Sequence, residues 1–300
     1  MERKSGFGET GEWYKGNTHL HTTLSDGQLD PKETIAIYRE ADYSFVAITD
    51  HWIYGNHRKL QSDDFLIFAG VEMHVDIPRE KGLCHHVTAM ADPEQTPYQA
   101  GDTLSEIRVL GDMKAIVEEM NRSGHLCIYA HPNWSHISFE EYSRINGCIG
   151  VEVYNNTCEI DAGCGYSEAY YDRKLWERKP CFCFASDDTH SLHHSLGSFI
   201  CVKAAELTHQ AILEAIRAGS FYASTGPEIR DFYVEDGQAH VECSPCSDIM
   251  FFSDASYGVH AVWNQPGTTK ASCPLAENAA NIYAVCRDGN KTAWTQPIWL

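Results

Sequence analysis

With 43% apolar and 22% charged residues, this chain of 300 has the composition of a globular protein, long enough for one barrel-sized domain and a small appendage. A formal net charge of -19 excludes a broad basic surface for general nucleic-acid binding but leaves small phosphorylated ligands open. Apolar runs fall short of the roughly 20 residues needed to cross a bilayer, and the opening MERKSGFGETGEWYKG lacks an apolar signal core, so a cytoplasmic protein without membrane contact is expected.

In chain order, PKETIAIYREAD (31–42) predicts a helix with Pro near its start, leading into the strand FVAIT. The run FLIFAGVE predicts a second strand and CHHVTAM a third. DTLSEIRVLGDMKAIVEEMNRSG (102–124) carries apolar residues at helical spacing up to a Gly stop, then the strand HLCIYA. YSEAYYDRKLWERK (166–179) predicts a helix before the strand CFCFAS, and LTHQAILEAIRAG (207–219) one more helix. Strand–helix–strand with short connections predicts right-handed crossovers and a parallel sheet, which six or seven such units would close into a barrel.

After Gly219 the pattern changes to short alternating runs broken by Asp236-Gly237 and Ser244-Pro245, and Arg287-Asp288-Gly289-Asn290 between two strand-like runs is a hairpin signal. The expected division is a metal-binding β/α barrel over 1–221 and a small antiparallel β domain over 222–300, free of metal ligands. The twelve cysteines are expected as reduced thiols, several inside apolar runs, and Cys243-Ser-Pro-Cys246 as a turn.

Histidines and carboxylates recur just after the apolar runs: His19 and His21, Asp26, Asp50-His51, Glu72, His85-His86, His131-Pro132 and Asp187-Asp188-Thr-His190. In a parallel barrel the strand ends converge on one rim, and so would these side chains. Residues i and i+2 of a strand point the same way, so His19 can act with His21 and Asp188 with His190. Imidazole and carboxylate together suit Zn, Fe or Mn better than Mg or Ca. Alone, His131 would read as a core histidine and Asp26-Gly27 as a turn; it is the set that indicates a polynuclear metal hydrolase.

In these residues the chain resembles the PHP family, named for polymerase and histidinol phosphatase domains. NTHLHTTLSDGQL is similar to that family's first motif, ITDHW to its second and GVE to its third. HHVTAM and YAHPNW resemble the next two and ASDDTH the last, in the family's order over roughly residues 17–200. The resemblance implies a distorted, seven-stranded β/α barrel holding two or three divalent transition-metal ions. It implies that His19, His21, Glu72 and Asp188 bind one ion, that Glu72, His86 and His131 bind a second with Glu72 bridging, and that Asp26, His51 and His190 bind the third. His86 rather than His85 rests on register, and Asp188 rather than Asp187 on the Asp-x-His spacing. Glu72, His51 and Asp188 are the expected catalytic residues, with Asp50, His85 and Asp187 as carboxylate and imidazole partners that orient the ligands.

The expected activity is a metal-dependent phosphoesterase cleaving a small phosphorylated metabolite or nucleotide by attack of a metal-bound hydroxide. Arg230, Arg173, Thr225 and His194 are the candidate substrate contacts. Alternatives are histidinol phosphatase, an amidohydrolase-like C–N hydrolase, and a non-enzymatic metal- or ligand-binding module.

Overall fold

The computed structural model describes residues 3–8, 10–77, 82–255 and 259–300; strands and helices alternate up to residue 217, and among the described residues only strands follow. The first part contains β1 (Lys4–Ser5), β2 (Glu12–Asn17), α1 (Pro31–Glu40), β3 (Phe45–Ile48), β4 (Leu66–Asp76) and β5 (Cys84–Ala91). It continues through α2 (Ser105–Arg108), α3 (Met113–Arg122), β6 (Leu126–Tyr129), α4 (Phe139–Arg144) and β7 (Gly150–Asn155). Then come α5 (Asn156–Ala162), α6 (Glu168–Trp176), β8 (Phe182–Ser186), β9 (Phe199–Ala204) and α7 (His209–Arg217). The remainder is β10 (Phe221–Ser224), β11 (Ile229–Glu235), β12 (Gln238–Ser253), β13 (Val259–Pro274), β14 (Asn281–Asp288), β15 (Lys291–Thr295) and β16 (Ile298–Trp299).

Local chemistry explains several of these boundaries. α1 begins where Asp30 accepts hydrogen bonds from the N–H groups of Lys32 and Glu33, while Glu33 reaches back to the N–H of Asp30 and Pro31 fills the first turn. The single helix expected over 102–124 is instead two, α2 and α3. Gly111, at φ 62°, breaks it, and Asp112 caps the second helix through the Ala115 N–H. The strand β7 and the helices α4 and α5 have no counterpart among the expected elements.

The sheet departs from the all-parallel expectation. β2, β3 and β4 are parallel neighbours, as are β6, β7 and β8, but β5 lies between β4 and β6 antiparallel to both. The connection from Asp76 to Cys84 is too short for a crossover helix, so the chain must turn back. Just beyond the ends of β2 and β8 the chain segments meet: Leu20 bridges Thr189, the Asp188 N–H donates to the His19 carbonyl at 2.9 Å, and the His21 N–H donates to the Thr189 carbonyl at 2.9 Å.

β9 pairs antiparallel with β2 and β10 with β9, and β10 continues through β15 into the C-terminal strands. The expected boundary at residue 222 thus falls inside β10. Asp236-Gly237 and Gly289-Asn290 turn hairpins, as expected, whereas Ser244-Pro245 lies within β12, where the pairing shifts register, rather than ending a strand. Trp294, Val285 and Tyr283 pack into the same core as Phe184, Ile200 and Phe221, and Phe232, Ile249, Phe251 and Ile282 form a second core. Among the described residues no helix is long and apolar enough to cross a membrane.

Candidate metal centre

The ends of β2, β3, β6 and β8 bring His19, His21, His51, His131, Asp188 and His190 to one rim. Three of the partners arrive differently. Glu72 lies within the long β4, and His86 near the start of β5; because β5 runs antiparallel, its beginning falls at the rim where its parallel neighbours end. Asp26 arrives on the loop after His21. That loop is packed so tightly that a Cβ on Gly27 would sit 2.7 Å from the His21 backbone.

His19, His21, Glu72 and Asp188 are buried and form one donor group. His19 Nε2 lies 3.1 Å from His21 Nε2, 3.2 Å from Glu72 Oε2 and 3.2 Å from Asp188 Oδ1. His21 Nε2 lies 3.1 Å from Glu72 Oε2 and 3.0 Å from Asp188 Oδ1. Donors about 2.0–2.2 Å from a common ion stand roughly 2.8–3.6 Å apart in octahedral or tetrahedral arrangement, and these five separations fall inside that range. Asp188 Oδ1 and His51 Nδ1 are buried atoms without a hydrogen-bond partner, and the two Nε2 atoms confront each other, an arrangement suited to a shared cation rather than to direct pairing. The residues fit a metal ion.

Glu72 faces two donor groups at once. Its Oε2 is directed to His19, His21 and, at 3.2 Å, His51 Nδ1, whereas its Oε1 lies 2.8 Å from His86 Nδ1 and 3.2 Å from His131 Nε2. Asp26 sits further out, 3.5 Å from His21 Nδ1, 3.6 Å from His51 Nε2 and 3.5 Å from His190 Nε2.

Electrostatics follow this geometry. Burial opposes protonation of His19, but Asp188, Glu72 and Glu152 raise its pKa well above the ordinary value; against the same penalty, Asp188 and Glu72 raise that of His21 to about 9. Burial works against ionising Glu72 and Asp188 too, yet the surrounding imidazoles hold both carboxyls well below their usual range. His51 moves the other way, lowered to about 4 chiefly by burial. Backbone strain accompanies the site, since His131 (φ 28°) and Asp188 (φ 53°) adopt positive φ without being glycine.

Glu152, on β7, is the residue that sequence inspection missed. Its Oε1 lies 2.8 Å from His19 Nδ1 and accepts from the Ser186 hydroxyl, and its Oε2 accepts the His131 N–H at 3.0 Å and Asn155 Nδ2 at 3.0 Å. Asn155 also donates to Asp188 Oδ2 at 3.1 Å. His131 Nδ1 lies 3.2 Å from the Ser135 hydroxyl, and His190 Nδ1 donates to the Asp188 carbonyl at 2.7 Å.

Among the described residues, none of the three residues expected to orient ligand histidines bonds one directly. Asp50 accepts from the N–H and hydroxyl groups of Thr22 and Ser25, fixing the loop that carries Asp26. Asp187 accepts from the N–H groups of Leu196, Gly197 and Ser198 and from the Tyr38 hydroxyl, anchoring the loop after His190. His85 alternates away from His86 and meets the Tyr129 hydroxyl at 2.5 Å.

A cavity of about 330 Å³ opens over the cluster, lined by Asp26, His51, Glu72, His86, His131, Asp188 and His190 together with Trp134, Thr157, Cys158, Asp161 and His194. Of the four candidate substrate contacts only His194 lines it. Arg230 is paired with Glu228 at 3.7 Å on β11, Arg173 with Glu177 at 2.6 Å on α6, and Thr225 is buried against the Thr292 backbone.

No family model and no curated protein matches the chain. Among solved structures it is similar to a two-domain protein containing a predicted PHP-like metal-dependent phosphoesterase from Bacteroides vulgatus, at 14% identity and a TM-score of 0.50, over 100% of this chain and 98% of that one. It also matches a proposed metal-dependent phosphoesterase from Bifidobacterium adolescentis (13% identity, TM-score 0.44, 60% of this chain and 89% of that one). A third match is an amidohydrolase from Chromobacterium violaceum with bound sulfate (16% identity, TM-score 0.44, 59% of this chain and 88% of that one). The fold, a mixed α/β structure built on one large sheet, is PHP-like.

Proposed function

We propose that this chain is a metal-dependent phosphoesterase of the PHP type, acting on a small phosphorylated metabolite or nucleotide. The observation that carries this is Glu72, whose two oxygens face separate donor groups at 2.8–3.2 Å. In the proposed architecture β2–β8 form a seven-stranded barrel joined where Leu20 meets Thr189, and the part of the chain up to α7 holds all the chemistry.

His19, His21, Glu72 and Asp188 would hold one ion, Glu72, His86 and His131 a second, and Asp26, His51 and His190 a third, drawn from Zn, Fe or Mn. Such ions supply an acidified water near neutral pH and charge neutralisation for the phosphoryl group. The chain's own residues set the stage. Glu152 takes the His19 Nδ1 proton as a hydrogen bond, leaving the Nε2 lone pair for the cluster, and Ser135 and the Asp188 carbonyl do the corresponding work for His131 and His190. His51, lowered to about 4 chiefly by burial, is neutral at pH 7 and has a lone pair to offer. Cys158, which lines the cavity, has its thiol pKa pushed far up by burial and is a poor nucleophile.

The test is metal analysis of the purified chain, paired with turnover of phosphomonoesters, nucleotides, phosphodiesters and N-acyl compounds. Metal-dependent hydrolysis of a phosphoester is the expected result. Hydrolysis confined to N-acyl compounds would replace this reading with the amidohydrolase one.

A further inference from the structure

Trp134 stands at the edge of the metal-centre cavity with 43% of its surface exposed. Its ring is nearly perpendicular to His86 (88°, centroids 6.0 Å apart) and to His131 (85°, 5.1 Å). It also borders a second cavity of about 470 Å³, lined by His86, Cys84, Ser135 and Cys164 among others, so the indole and His86 stand between the two spaces. An indole bordering two cavities offers a flat apolar face for stacking, and here the two neighbouring imidazoles cover only part of it.

The loop holding Trp134 is tied down on both sides. The Asn133 N–H donates to the Ser167 hydroxyl at 3.2 Å, Asn133 Nδ2 donates to the Cys164 carbonyl at 3.2 Å, and the Ser135 N–H donates to the His131 carbonyl at 3.2 Å. A platform held this way loses little freedom when a ligand stacks on it. The same cavity carries Asp161, whose side chain is 57% exposed and lies 3.3 Å from His194 Nε2, leaving carboxylate lone pairs open to a donor from a ligand.

We propose that Trp134 is the specificity-determining platform of this site: it stacks a flat ring in the leaving group of the phosphoester, and Asp161 accepts a hydrogen bond from a hydroxyl or amino group on that ring. The proposal rests on the phosphoester reading above. The reaction consumes one water: its oxygen joins phosphorus, the ester P–O bond breaks with its electron pair on the ring-bearing oxygen, and that oxygen takes up a proton from the water. The substrate class is then ring-bearing phosphoesters in preference to simple alkyl phosphates.

The experiment is calorimetric titration of the full chain, loaded with Mn²⁺, with phenylphosphonate and methylphosphonate, which bind without turnover. Stacking predicts that phenylphosphonate binds about tenfold tighter or more, that Trp134→Ala abolishes the difference, and that Trp134→Phe keeps most of it. Equal affinities in the wild type, no binding of either compound, or a ratio unmoved in Trp134→Ala would overturn the proposal. Steady-state rates with phenyl phosphate and glycerol phosphate separate the two claims. A phenyl preference in binding with no hydrolysis of either ester would sink the phosphoester reading and leave the platform standing.

Discussion

Glu152 and His19, 133 positions apart in the chain, meet through a 2.8 Å contact between Oε1 and Nδ1 that aims the other ring nitrogen at Glu72 and Asp188. Neither residue could do this alone, because an imidazole presents its second nitrogen predictably only when the first is held. Glu152→Gln keeps the shape but offers a donor where one of four acceptor contacts is needed. Metal affinity should fall about 10- to 100-fold, measured by titration of the metal-free protein, with the fold retained by circular dichroism. Unchanged affinity would show that Glu152 serves the core and not the ligand.

Glu72→Gln removes the charge that both donor groups share. Phosphoester turnover should drop about 100-fold or more while the chain stays folded. Near-normal turnover with metal still bound would rule out a bridging role.

Protons and metal compete for the same nitrogens. In the metal-free protein the pKa of His21 is raised from 6.5 to about 9, with burial opposing and Asp188 and Glu72 prevailing, so at pH 7 this ring carries a proton that a metal ion must displace. The protonated metal-free state dominates below about 9, so apparent metal affinity should rise with pH through 7 and 8 and level off above 9. Calorimetry in buffers of different ionisation heat should register at least one proton released per chain at pH 7; zero release would contradict the assignment.

His85 and His86 are adjacent but face opposite sides of β5, so their alanine variants should behave differently. His86→Ala should lose metal affinity. His85→Ala should keep it and instead lower thermal stability by about 1–3 kcal/mol, because the Tyr129 hydroxyl loses its partner. Equal metal loss in both would mean that β5 is out of register.

Much of this site is legible in the sequence because the donors are rare residue types clustered in short motifs, His19 with His21 and Asp188 with His190 above all. What escaped inspection depends on long-range packing. Glu152 lies in GVEVYN, an apolar strand whose one carboxylate has no motif around it, and its partners come from β2, β6 and β8. Asp50 and Asp187 are legible as carboxylates beside the ligand motifs, but which donors they meet is set by the loop at Thr22–Ser25 and the loop at Leu196–Ser198. The reversed direction of β5 was hidden for a related reason: CHHVTAM has the same apolar content whichever way it runs, and only the short link before it tells. Arg173 and Arg230 are candidates by charge and by place in the chain, and neither says what a side chain faces once α6 and β11 are packed.

On the proposed reading, this cluster must hold more than one ion to hydrolyse a phosphoester. The most direct measurement adds Mn²⁺ stepwise to metal-free protein and follows phosphomonoester turnover against ions bound per chain. Turnover should be absent without metal, stay low through the first equivalent, and rise as the second binds. Full turnover by the metal-free chain, or a maximum reached at one ion per chain, would contradict it.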